Sequence, residues 1–148
     1  MEKERKSLKE LSILVLVFVG LSLIRMVVDV VINGFTSTPL IKGLTQDAAN
    51  IIFIVSFIIS LLFLIPEIYV GYKGIKISQK PNNSKSHIIF AKVIFVLIII
   101  SLVGTILELV KGANLAINIF TLADILIDAV LYYLYIKYAN KIRKQHQE

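Results

Sequence analysis

Cysteine and tryptophan are absent from this chain, and histidine and proline are scarce, at two and three residues. The lack of cysteine excludes disulfides, thiol catalysis and thiolate metal sites. His87 and His146 both sit in basic polar segments, away from the acidic residues of the apolar runs. A metal site therefore has little to be built from. The chain has no nucleotide loop ending in Gly-Lys-Ser/Thr, no Gly-x-Ser-x-Gly elbow and no His-Glu-x-x-His. No catalytic residue, metal or cofactor is assigned.

What the chain does have is long apolar runs. Of its 148 residues 57% are hydrophobic, against roughly 45–50% in soluble domains. Four runs of about 20 residues carry the surplus, and that is the length a helix needs to cross the hydrocarbon of a bilayer. The runs are read as spans at about 11–32, 48–70, 88–110 and 115–137 of one four-span membrane unit. A charged start before the first run also suits a signal peptide. No small-x-small cleavage site follows, however, and apolar sequence resumes after Arg25, so an uncleaved span is expected.

The connections are read from turn chemistry. Asn33-Gly34 is expected to stop the first helix, Pro39 to keep the loop extended, and Thr45 or Asp47 to cap the second helix. Residues 71–87 read as the longest hydrophilic connection, with Gly71 and Gly74 marking a fraying helix end. Lys111-Gly112-Ala113-Asn114 reads as a tight turn that makes spans three and four an antiparallel hairpin. Tyr132, Tyr133, Tyr135 and Tyr138 read as an aromatic belt at the inner interface.

The net charge of +6 is topological rather than a mark of nucleic-acid binding. Lys3, Arg5, Lys6 and Lys9 precede the first span, Lys73, Lys76, Lys80 and Lys85 fill the middle connection, and Lys137, Lys141, Arg143 and Lys144 close the chain. Lys92 can snorkel to the same side. Only Lys42 and Lys111 lie opposite. The positive-inside rule then places both termini, as short basic tails, and the middle connection in the cytoplasm of a multi-pass protein of the cell membrane. Asn82-Asn83-Ser84 matches a glycosylation sequon but falls on that cytoplasmic side.

Polar residues recur on one face of each span when positions are projected at 100° per residue. Asn114, Thr121, Asp124, Asp128, Tyr132 and Tyr135 fall within about 80° on the fourth span. Ser22, Arg25 and Asp29 cluster on the first, Ser56, Ser60 and Glu67 on the second, and Ser101, Thr105 and Glu108 on the third. Four such faces are satisfied by turning inward, which predicts an all-α, antiparallel up-and-down four-helix bundle with a polar interior seam.

The fourth span needs that seam. Two central aspartates cost roughly 5–7 kcal/mol on the insertion scale, and the leucine, isoleucine, valine and phenylalanine residues of 115–136 return roughly 4–7. Arg25 is the only cation in the spans' interior, Lys92 and Lys137 standing near span ends. At 1.5 Å per residue, Arg25 and Asp124 both lie roughly 12–14 Å below the outer face. We therefore expect an intramembrane charge network of Arg25, Asp29 and Asp124 that staples the bundle. Asp128 lies deeper without a visible counter-charge, and with Glu108 and Thr121 it forms the candidate ion or proton site. The serines and threonines read chiefly as packing contacts.

Asp124-x-x-x-Asp128 is similar to the spaced aspartates of membrane prenyl and phosphoalcohol transferases. Those enzymes need a further acidic motif or Gly-Arg context and more helices, and both are missing. Small multidrug exporters are shorter and rely on a first-span glutamate, where this chain has Arg25 and Asp29. No family is assigned. The function expected is that of an accessory, immunity or assembly partner acting through helix contacts in the bilayer, with another membrane protein or with further copies of itself. The alternative is a small oligomeric transporter or channel with a proton- or cation-linked carboxylate site at Asp128 and Asp124. An intramembrane enzyme ranks last.

Overall fold

Local sequence accounts for where the helices run. In the computed structural model, which describes residues 2–33, 45–110 and 115–146, four helices form: α1 (Glu2–Asn33), α2 (Gln46–Gln79), α3 (Ser86–Val110) and α4 (Leu115–Gln145). Only the backbone is described for Asn33, Glu108 and residues 115–118. Gly34, Pro39, Lys42, the turn 111–114 and the side chain of Asn118 lie outside the described residues. All four helices are long and apolar enough to cross a membrane, by length and composition. Thr45 caps α2, its hydroxyl accepting from the Ala48 amide at 3.3 Å, which satisfies one of the free donors of the first turn.

Two helices extend beyond the expected spans, and in α2 this overturns the expected connection at 71–79. α1 begins at Glu2 rather than near residue 11, and α2 continues through Pro66 and the glycines to Gln79. The physical reason is a helical period hidden among lysines. Gly71, Gly74, Ile77 and Ser78 are buried along one side of α2, while Tyr72 and Lys76 are exposed. Leu8, Ser12, Val15 and Val19 are the matching buried row on α1. The α2–α3 connection shrinks to residues 80–85, where the Ser84 amide donates to Asn82 Oδ1 at 3.0 Å, a local turn typical of asparagine.

The two glycines are therefore packing residues, not a frayed end. A Cβ on Gly71 would stand 2.6 Å from Leu16 Cγ and 3.1 Å from the Ser12 carbonyl oxygen. One on Gly74 would meet Ser12 Oγ and stand 2.7 Å from the Tyr135 ring. Small residues let helix backbones approach closely, and here they admit both α1 and the ring of Tyr135.

Each helix packs mainly against two others, α1 on α2 and α4, and α3 on α2 and α4. The start of α1, the end of α2, the start of α3 and the end of α4 share one core that includes Leu8, Ile77, Ile88, Leu131, Tyr135 and Ile142. Arg5 strengthens this closed end. Its Nε donates to the Ser78 carbonyl at 2.6 Å and its Nη2 to the Gln79 carbonyl, so a guanidinium fork serves the last acceptors of α2. Tyr69 and Ser86 join α2 to α3 through their hydroxyls at 2.6 Å. Away from this end large apolar side chains stand open, with Val110 at 80% and Phe120 at 76% exposure.

Glu4 and Lys141 tie the start of α1 to the end of α4 at 2.7 Å. That ammonium is the main reason the Glu4 carboxyl is pushed down from 4.5 to about 2. A depressed carboxylate adds stability above its ordinary value and loses it as the pH falls through the folded one. Glu4→Gln should therefore lower the melting temperature slightly at pH 7, a small effect because Lys141 stays largely in solvent, and the difference from the unmodified protein should vanish as the pH falls from about 4.5 to about 2. An unchanged acid limb in a melting series would count against the pair.

Candidate functional site

Three of the hydroxyl residues on the apolar stretches are satisfied on their own helix. Ser12 donates to Leu8 O at 2.6 Å, Ser60 to Ser56 O at 2.8 Å and Thr105 to Ser101 O at 3.1 Å. Such back-bonds to the preceding turn need no partner helix. The groups left to explain are charged: Arg25, Asp29, Glu67, Asp124 and Asp128.

Arg25, Asp124 and Asp128 are brought together. With Phe18, Leu21, Ser22 and Ile127 they line a cavity of about 390 Å³ between α1 and α4. Arg25 and Asp124 are exposed on this single chain, and Asp128 is half-buried. No ion pair joins Arg25 to Asp124 or to Asp29 among the described residues; the charges share a groove without closing it. Asp29 departs from the expected network. It faces α2, in a separate cavity of about 180 Å³ lined also by Met26, Phe53, Ser56, Phe57 and Ser60. Thr121 is exposed and does not line the Arg25 groove. The side chain of Glu108 lies outside the described residues.

Asp128 is not isolated. Its carboxyl is within electrostatic reach of both Asp124 and Glu67. The Tyr132 phenol, 4% exposed, senses both Glu67 and Asp128. Glu67 belongs to α2 and Asp128 to α4. Tyr135, two turns beyond Asp128, joins the same two helices, its hydroxyl donating to the Val70 carbonyl at 2.9 Å. Reading along the sequence placed Glu67 on the polar face of α2 but in no site. No feature of the sequence marks the pairing, because it depends on a contact between helices far apart in the chain.

The expected aromatic belt dissolves on inspection. Tyr135 is wholly buried and Tyr132 nearly so, Tyr138 is half-buried, and Tyr133 alone of the four is exposed. Tyr132 and Tyr135 are three apart and so share the inward face of α4. His87 is a second correction. Read as part of a polar connection, it is 1% exposed, packed edge-on at 6.1 Å from the Tyr135 ring. Neither of its ring nitrogens has a hydrogen-bond partner among the described residues.

With this geometry in hand the chain was compared with protein-family models, curated proteins and solved structures. It matches none of them. Among the described residues no group of three or more histidine or acidic side chains is arranged to hold a metal ion. The site is therefore read from its own residues: an open groove with charges of both signs, backed by an inner pair of carboxyls beside a buried phenol.

Proposed function

We propose that this is an integral membrane protein of four antiparallel spans, with both termini in the cytoplasm, that works through helix contacts as an accessory, immunity or assembly partner. The membrane reading is supported by the open apolar surface, typified by Val31, Val110 and Phe120, which lipid can cover and water cannot without cost. The inner polar seam then consists of Glu67, Asp128, Tyr132 and Tyr135, and the outer charges belong to an interface. The observation that carries the functional reading is the open groove. Arg25 and Asp124 are exposed at a depth where each charge costs roughly 2.5–3.5 kcal/mol on the insertion scale. A helix that brings matching charges removes that cost. No nucleophile–base pair accompanies the groove, so the proposal is not an enzyme.

One observation favours the second reading, a small proton- or cation-linked transporter. Glu67 and Asp128 lie within electrostatic reach of one another and of the buried Tyr132 phenol, and two such carboxyls are groups that a proton or a monovalent cation can bridge. The two readings separate on one pair of variants. Under the contact reading, Arg25→Ala accumulates in the membrane but loses its complex on a native gel, whereas Asp128→Asn keeps it. Under the transport reading, Asp128→Asn abolishes proton or cation flux into liposomes carrying the purified protein. Flux by the unmodified protein that survives Asp128→Asn removes the carboxylate mechanism, and a complex indifferent to Arg25 removes the contact mechanism.

A further inference from the structure

We infer that the partner seated on the α1–α4 groove is a second copy of this chain, with Arg25 of each copy paired to Asp124 of the other. This rests on the reading that the chain is a membrane protein acting through helix contacts. The groove carries both signs, so the surface is complementary to itself. Copies of a membrane protein share one orientation, and a two-fold axis between them must run along the bilayer normal. Such an axis leaves every residue at its own depth, so a cross-pair forms only between groups at the same level. Arg25 and Asp124 line one cavity and meet that condition. In a two-fold interface each contact occurs twice, so two ion pairs form and four exposed charges are neutralised. Leu21 and Ile127, on the same wall and more than half exposed, supply the apolar rim that keeps the pairs dry. Asp128 lines the same cavity but is half-buried, whereas Asp124 is exposed, which leaves Asp124 as the acid that a second copy's arginine can reach.

The test is a charge exchange between copies carrying two different tags, purified in mild detergent. Arg25→Asp and Asp124→Arg, each expressed alone, put like charges at both contacts, and recovery of one tag with the other should fall roughly tenfold. Expressed together, the two variants meet with opposite charges at both contacts, and recovery should return to the wild-type level. The combined Arg25→Asp/Asp124→Arg chain should also self-associate. Arg25→Gln and Asp124→Asn, which add no repulsion, should fall in between. Rescue by the combined chain without rescue by the mixed copies would show a pair inside one chain and overturn the inference. Failure of the mixed copies to accumulate or to associate overturns it equally. If the wild type does not self-associate but holds another membrane protein in an Arg25-dependent way, the second copy is excluded while the contact reading stands. If Arg25→Asp changes no complex at all, both fall.

Discussion

Gly74→Leu is expected to destabilise the bundle by roughly 3 kcal/mol, the upper part of the range for overpacking a filled core. Gly74 lies where three helices converge: α2 carries it, Ser12 of α1 faces it, and the ring of Tyr135 reaches it from α4. Even a methyl group would stand 2.7 Å from Tyr135 Cε2 and 2.8 Å from its hydroxyl. The ring is wholly buried and has nowhere to retreat. A leucine must push α1 or Tyr135 out of place. Gly20 and Gly104 provide the control, since a Cβ on either meets nothing within 4 Å. Alanine at those positions should be neutral or add roughly 0.5–1 kcal/mol through helix propensity. Denaturant unfolding in detergent, followed by circular dichroism, compares the three. A Gly74→Leu midpoint as high as that of Gly104→Ala would show that the close approach does not hold the helices.

Tyr135→Ala should cost roughly 3–5 kcal/mol, the range for removing a large buried aromatic side chain. The ring is wholly enclosed, packs against His87 and Gly74, and its hydroxyl reaches the Val70 carbonyl across the bundle. Tyr135→Phe keeps the ring and removes the hydrogen bond, so about 1 kcal/mol should be lost. The hydroxyl is also what a Cβ at position 74 would crowd. Tyr135→Phe should therefore soften Gly74→Ala, and a double-mutant cycle should show coupling of about 0.5 kcal/mol or more. Additive costs would mean that Gly74 and Tyr135 do not share a contact.

The charged groove was partly legible before the fold was known. Arg25 and Asp124 came out at one depth by counting residues from the outer ends, because helix rise is constant and needs no tertiary information. They do line one cavity. Asp29 was grouped with Arg25 by its i,i+4 spacing, yet it looks toward α2, because residues four apart still differ by about 40° around the helix. That angle is enough to put them on different neighbours. Glu67 was visible on its face but carried no mark of its distant partner, since the α2–α4 crossing depends on contacts some sixty residues apart.

By itself the sequence determined four long helices, their order, a cap for α2 at Thr45 or Asp47 and the apolar character that suits them to a bilayer. These follow from periodicity, hydropathy and turn chemistry, all of which act over a few residues. Only the tertiary structure decided which end of the bundle closes. Lysines at 73 and 76 made 71–79 look like a solvated loop, whereas the buried Gly71 and Gly74 make it a site of close helix approach. The same packing turned two tyrosines and a histidine from surface groups into core. Close approach depends on the absence of side-chain atoms on one helix and their presence on another, and neither chain segment states that match alone.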